Sequence, residues 1–131
     1  MKSRGLLLDT QTFLLAAQED KSLPPRARHS FLNRRHALYL SLVSVWELQI
    51  KLSLGKVRLP VSLPEAVQKA VTDAGVELLP LQLEHLYRLG ALPFHHRDPF
   101  DRLLAAQALH EQLILLSGDR AFDVYGVERL W

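Results

Sequence analysis

Five carboxylates in this chain of 131 residues occupy positions where they could do chemistry: Asp9, Glu47, Asp98, Asp101 and Asp119. Asp9 closes the apolar run Gly5-Leu6-Leu7-Leu8, and Asp119 follows Leu113-Ile114-Leu115-Leu116-Ser117-Gly118. Asp98 and Asp101 stand at the mouth of the apolar stretch Leu103–Leu109, and Glu47 lies in a mostly apolar segment before Gly55. Carboxylates brought together in a low-dielectric cleft repel, and protonation or a divalent cation relieves the repulsion. The sequence has no cysteine, so any ligands are O or N, and a set of oxygens suits Mg²⁺ or Mn²⁺. A metal held by two to four acids with water in its remaining positions is suited to phosphoryl chemistry, because it activates water and offsets charge on the phosphate and the leaving oxygen. The spacing leaves a second reading open. Asp after a strand is a common turn residue, acids favour helix N-termini, and Glu47 could simply pair with Lys51 one turn on.

The elements must bring these acids together. Asp98 is expected to cap a helix with Pro99 at its first position and Asp101 in its first turn. That helix is apolar almost all round, so it should be central and covered. Leu6–Leu8 reads as a buried strand of a parallel sheet, with Thr10 capping a helix over 11–18. A basic helix follows from about Pro25 to Arg35, with Ala27, Phe31 and Leu32 inward and Arg26, Arg28, Arg34 and Arg35 facing water. Leu38–Leu40 reads as a second strand. Ser41 or Ser44 caps the next helix, which runs to about Leu54 and turns Val45, Leu48, Ile50 and Leu52 inward. A helix from Pro64 to near Gly75, a strand over 76–79, a helix over 82–92, a strand over 113–117 and a last strand over 127–130 complete the pattern. Alternating strands and helices mean a parallel sheet covered on both faces. In such sheets the reactive rim lies beyond the carboxyl ends of the strands, where the strand order reverses. If the first and fourth strands are neighbours, the acids share that rim.

Composition sets the bounds. Residues 1–131 read as one globular domain, with 48% apolar and 23% charged residues. No apolar run reaches the roughly 18 residues of a spanning helix, which implies no membrane partner, and the expected location is cytoplasmic. The net charge of +2 is compatible with a nucleic-acid partner without demanding one.

In order along the chain, Leu6-Leu7-Leu8-Asp9-Thr10, then Ser44-Val45-Trp46-Glu47-Leu48-Gln49-Ile50-Lys51 with Leu54-Gly55-Lys56, then Leu79-Pro80-Leu81, then Leu92 to Ala108 around His95-His96-Arg97-Asp98-Pro99-Phe100-Asp101, and last Leu115-Leu116-Ser117-Gly118-Asp119 with Ala121-Phe122, resemble the PIN-domain family and, within it, the VapC-type toxins of bacterial toxin–antitoxin pairs. The resemblance implies a three-layer α/β/α sandwich with a short central parallel sheet. It implies a Mg²⁺- or Mn²⁺-dependent endoribonuclease, a VapB-like antitoxin lying across the acid cleft and grooves between helices, and a homodimer. Carried over motif by motif, it assigns catalysis and metal binding to Asp9, Glu47, Asp101 and Asp119, with Asp9, Asp101 and Asp119 as principal ligands. Thr10 and Ser117 become hydroxyls flanking the metal, and Asp98 a cap or supporting residue. In that scheme metal bridges the scissile phosphate and the acids, water attacks in line, and a 3′-hydroxyl and a 5′-phosphate result. Two positions depart from the pattern: Gln11 stands where His is frequent, and Gly118 where a basic residue or Asn is more usual. Neither removes a carboxylate, so they bear on substrate preference.

Arg97, Arg102, Arg120 and Lys51 surround the acids in sequence and either hold phosphates or balance charge. His95 and His96 read as loop packing or RNA-backbone contacts, with catalysis as the other reading. Trp46 and Phe100 are expected in the core. Two alternatives to the ribonuclease stand: a module that binds RNA or protein with little turnover, and a structure-specific DNA nuclease of the same fold.

Overall fold

Short leucine runs build the sheet. In the computed structural model, which describes residues 4–33, 35–93 and 98–131, strand β1 (Leu6–Leu8) is followed by helices α1 (Thr10–Ala17) and α2 (Pro25–Leu32), and β2 (Leu38–Ser41) by α3 (Leu42–Ser53) and α4 (Leu63–Ala74). Then come β3 (Glu77–Leu79), α5 (Leu83–Gly90), α6 (Pro99–Glu111), β4 (Ile114–Leu116), a short 3-10 helix (Arg120–Tyr125) and β5 (Arg129–Leu130). The strands form one sheet in the order β3-β2-β1-β4-β5, and every pairing is parallel. The chain builds outward from β1 to β3 and then returns to the other side of β1. The order therefore reverses between β1 and β4, where Leu8 pairs with Leu116.

Side chains alternate across this sheet because strand periodicity is two. Leu7 and Leu115 face one cluster with Leu103, Leu104, Ala105 and Phe122. Leu6, Leu8, Leu40 and Leu116 face the other, with Phe13, Leu14, Leu48 and Ala66. The result is helices on both faces of a sheet buried on both. Leu6, Leu7, Leu8, Leu115 and Leu116 are fully buried, and truncating such a leucine to Ala costs roughly 2–5 kcal/mol. Helix α6 is the covered helix its composition demands, with seven consecutive buried residues from Arg102 to Ala108. Gly75 ends α4 in the left-handed conformation at φ 67°, which glycine adopts without the Cβ clash other residues incur.

Several local expectations are corrected. Asp9, rather than Thr10, caps α1 through Thr12 N; Thr10 is the first helical residue. Helix α2 ends at Leu32, whose side chain is exposed rather than inward. Ser41 caps α3, and Ile50 on that helix is exposed, so the buried face is Val43, Ser44, Glu47 and Leu48. Trp46 is not in the core: it is 57% exposed and meets the half-buried Phe100 edge-on, with ring centroids 4.8 Å apart. The readings for Arg34, His95, His96 and Arg97 lie outside the described residues.

Candidate active site

The carboxyl ends of β1 and β4 define a cleft of about 370 Å³ lined by Asp9, Thr10, Gln11, Thr12, Glu47, Lys51, Asp98, Asp101, Gly118, Asp119 and Trp131. The five acids arrive on four different segments of the chain. Asp9 follows β1 directly, and its role as N-cap of α1 fixes it: Oδ1 accepts from Thr12 N at 2.7 Å, while Oδ2 accepts from Ser117 Oγ at 2.5 Å. Thr12 in turn donates its hydroxyl to Leu116 O at 2.8 Å, so the residues after β1 are tied to the end of β4. Asp119 caps the 3-10 helix through Ala121 N at 2.9 Å, and its own N–H donates to Ser117 Oγ at 3.0 Å. Ser117 thus bonds to both strand-end acids.

Helix α6 brings in the next pair. Asp98 accepts from Phe100 N at 2.9 Å and Asp101 N at 3.4 Å, which is ordinary capping with Pro99 at the first position. Asp101 then projects from the first turn into the cleft. Glu47 comes from the buried face of α3. Its Oε1 accepts from Thr10 Oγ1 at 2.7 Å, and its Oε2 pairs with Lys51 Nζ at 2.7 Å. Ser44 Oγ lies 2.9 Å from Thr10 Oγ1. Although the Glu47–Lys51 spacing is that of a surface pair, Glu47 is largely buried, so the bond satisfies a carboxylate with little access to water.

The electrostatics single out Asp101. Burial pushes its carboxyl up to about 7, and the charges of Asp98, Glu47, Asp119 and Asp9 add to the shift. Burial also raises Asp9, against the lowering effect of its bonds from Ser117 and Thr12. The bond to Glu47 holds the Lys51 ammonium above its ordinary value, and the charges of Asp98 and Asp101 reinforce this. Four acids therefore act on a fifth through one cleft, the repulsion that a divalent cation relieves. Among the described residues, no group of three acids or imidazoles stands ready to share one ion as placed. Asp9, Glu47 and Asp119 each accept hydrogen bonds from protein donors. The donor set is wholly oxygen, which fits a hard cation.

Of the other candidates, Thr10 and Ser117 are brought to the acids, bonded to Glu47 and Asp9 respectively. Arg102 does not line the cleft. It is buried, and its Nη2 donates to Leu92 O at 3.2 Å and Leu89 O at 3.4 Å, closing the corner after α5 instead of meeting a substrate. Arg120 is on the surface, where its charge helps hold the Asp123 carboxyl low behind the larger effect of Arg129. Sequence reasoning missed Thr12, Ser44 and Trp131, whereas Gln11, singled out for substrate preference, lines the cleft. Thr12 was within reach, since it stands three residues after the Asp9 cap. Trp131 joins the cleft only through the pairing of β5 with β4.

Comparison with known proteins agrees with this fold. The family model described as PIN domain matches residues 6–128. Among solved structures, the chain is similar to VapBC2 from Rickettsia felis, solved bound to a DNA fragment from the promoter, at 15% identity and a TM-score of 0.70, covering 95% of this chain and 96% of that one. It is similar also to FitAcB from Neisseria gonorrhoeae, at 18% identity and a TM-score of 0.65 with 96% of each chain covered. FitAB bound to the IR36 DNA fragment matches at 16% identity and a TM-score of 0.64, over 95% of this chain and 93% of that one. Comparison with curated protein sequences finds no match.

Proposed function

This chain belongs to the PIN-domain family, and from that premise we propose that it is a metal-dependent endoribonuclease of the VapC toxin type, cytoplasmic and restrained by a cognate VapB-like antitoxin. PIN domains are generally nucleases that bind divalent metal ions; the choice of RNA and of Mg²⁺ or Mn²⁺ is our reading. The observation that carries it is the convergence of Asp9, Glu47, Asp98 and Asp119 on Asp101 at the point where strand order reverses. Asp9, Asp101 and Asp119 would hold the ion, directly or through water, with Glu47 as a further ligand or the group that orients the attacking water. The ion would supply charge neutralisation at the phosphate and a more acidic water.

The chain's own residues do the rest. Ser117 and Thr12 fix Asp9, and Asp98 aims Asp101 by capping α6. Thr10 and Lys51 hold the two oxygens of Glu47, and among the described residues of the cleft Lys51 is the one that would offer an ammonium to a phosphate oxygen. Water attack on phosphorus, in line with the departing 3′ oxygen, leaves a 3′-hydroxyl and a 5′-phosphate.

The partner proposals rest on different observations. The structural neighbours are toxin–antitoxin complexes, which supports an antitoxin here. Leu42, Trp46, Ile50 and Leu54 are exposed at four-residue intervals along α3 and its end, an apolar stripe that supports a homodimer. Among the described residues, no helix is long and apolar enough to cross a membrane. The test is incubation of the purified, antitoxin-free protein with single-stranded RNA and with DNA of the same sequence, in Mg²⁺, in Mn²⁺ and in EDTA. Cutting of RNA alone, abolished by EDTA, is expected. Cutting of DNA in preference would replace this reading with the DNA-nuclease one, and binding without turnover in either metal would replace it with the binding-module one.

A further inference from the structure

Trp131 is the one aromatic residue among the described residues that line the acid cleft, and its position is built rather than incidental. Strand β5 pairs Leu130 with Leu116, and Ser117 N donates to Leu130 O at 3.1 Å. Arg129 Nη1 donates to Ser117 O at 3.1 Å while its Nε bonds Asp123 Oδ1 at 3.0 Å. These contacts deliver Trp131 beside Gly118, immediately before Asp119. A Cβ on Gly118 would lie 2.7 Å from indole Cε2 and 2.8 Å from Nε1, too close for any side chain. Glycine at this position is therefore what lets the indole rest on the backbone. Trp131, like Leu130, also packs against the core cluster that contains Leu116, so it is supported by the core and lines the cleft.

The remaining lining explains what such a wall is for. Among the described residues of the cleft, the basic side chain is Lys51, and it is engaged with Glu47. Five carboxylates surround it. Among the described residues of the cleft, carboxylates outnumber this one ammonium, so a contact without charge adds affinity for a nucleotide that they do not supply. An indole provides one, because every base has a π-face that stacks on an aromatic ring whatever its sequence.

We infer that the Trp131 indole, seated on Gly118 at the edge of the carboxylate cleft, is a binding platform on which a nucleobase beside the scissile phosphate stacks, whatever its identity. The inference rests on the ribonuclease reading for its substrate, but its test does not need turnover. The chain has two tryptophans, Trp46 and Trp131, so Trp46→Phe leaves Trp131 as the only indole fluorophore. That protein is titrated in Mg²⁺ with adenosine 5′-monophosphate and with ribose 5-phosphate, which carries the same phosphate and no base.

The expected result is quenching by the nucleotide, no quenching by the sugar phosphate, and about tenfold tighter binding of the nucleotide by calorimetry. Trp131→Ala should bring the nucleotide down to the level of the sugar phosphate. Gly118→Asn should do the same by displacing the indole, and Trp131→Phe should keep part of the preference. In RNA cleavage Trp131→Ala should raise KM about tenfold with kcat within twofold. Equal binding of both ligands by the Trp46→Phe protein, or an unchanged KM in Trp131→Ala, would overturn the platform. Should Trp131→Ala fail to fold, the fluorescence titration decides alone, since it uses the native Trp131. Base-dependent quenching in a protein that cuts no RNA would uphold the platform and remove the ribonuclease reading. Cleavage without base dependence would do the opposite.

Discussion

Thr10 Oγ1 donates to Glu47 Oε1 at 2.7 Å across 37 positions of sequence, joining the first turn of α1 to the middle of α3 inside the protein. Both residues are largely buried, so the bond is made where water replaces it poorly. Thr10→Val removes the donor and keeps the shape. It should lower stability to urea by roughly 1.5–3 kcal/mol, the range for a hydrogen bond to a charged group, and reduce nuclease activity. Thr10→Ser should restore most of both.

The Asp101 carboxyl titrates near 7 in the folded chain against an ordinary value of 3.8. Between these values the folded state holds a proton that the unfolded state has released, so stability without metal falls as pH rises from about 4 to about 7 and levels off above. Asp9 is shifted in the same direction and adds to the slope. Melting in EDTA from pH 4.5 to 8 should show that decline. Mn²⁺ should reverse it, with the larger rise in Tm at pH 8. Asp101→Asn in EDTA should melt a few degrees above the native protein at pH 8 and lose the Mn²⁺ effect.

Asp98 caps α6 through Phe100 N and Asp101 N. If capping is its whole task, Asp98→Ser should keep stability and activity, whereas Asp98→Ala should cost about 1 kcal/mol and blur the placement of Asp101. Chemical denaturation beside a cleavage assay separates the two. Loss of cleavage in a stable Asp98→Ser protein would make Asp98 a ligand.

A buried polar chain ties the helices that carry the acids. Ser41 Oγ donates to Gln107 Oε1 at 2.6 Å, and Gln107 Nε2 reaches Pro80 O at 3.4 Å and His85 Nδ1 at 3.3 Å. Gln82 N donates to the same Nδ1 at 3.0 Å, leaving Nε2 to bond Glu111 at 3.0 Å. Ser41 caps α3, Gln107 lies on α6 and His85 on α5. Gln107→Leu takes a bond from two fully buried partners, Ser41 and His85, and should cost roughly 2–4 kcal/mol of stability. Gln107→Glu keeps the acceptor for Ser41 but not the amide donor, and should fall between.

Much of this architecture is legible without coordinates, and the physical reason is local. Leu6–Leu8 and Ile114–Leu116 are runs with no polar face, which suits strands covered on both sides. Asp98-Pro99 announces the start of α6, and the acids at strand ends locate the rim. What escapes depends on tertiary neighbours. Trp46 looks like core by type, yet α3 turns Ser44 and Glu47 inward because Thr10 waits there to bond them. Arg102 looks like a phosphate ligand by its place beside Asp101, but one residue further round the helix points it at the carbonyls after α5. Thr10 and Asp9 both make good caps, and only the close of β1 onto Leu116 decides between them: Asp9 N donates to Leu116 O at 3.2 Å. Trp131 is invisible in sequence because a two-residue strand brings it to the cleft.

The most direct test of the central claim pairs metal binding with cleavage in one preparation. Mn²⁺ is titrated by calorimetry into the native protein and into Asp101→Asn, and both are assayed on single-stranded RNA with Mn²⁺ and with EDTA. The account predicts Mn²⁺ binding and EDTA-sensitive cutting by the native protein, and loss of both in the variant with its fold retained. Cutting by Asp101→Asn at the native rate, or undiminished cutting in EDTA, would contradict it.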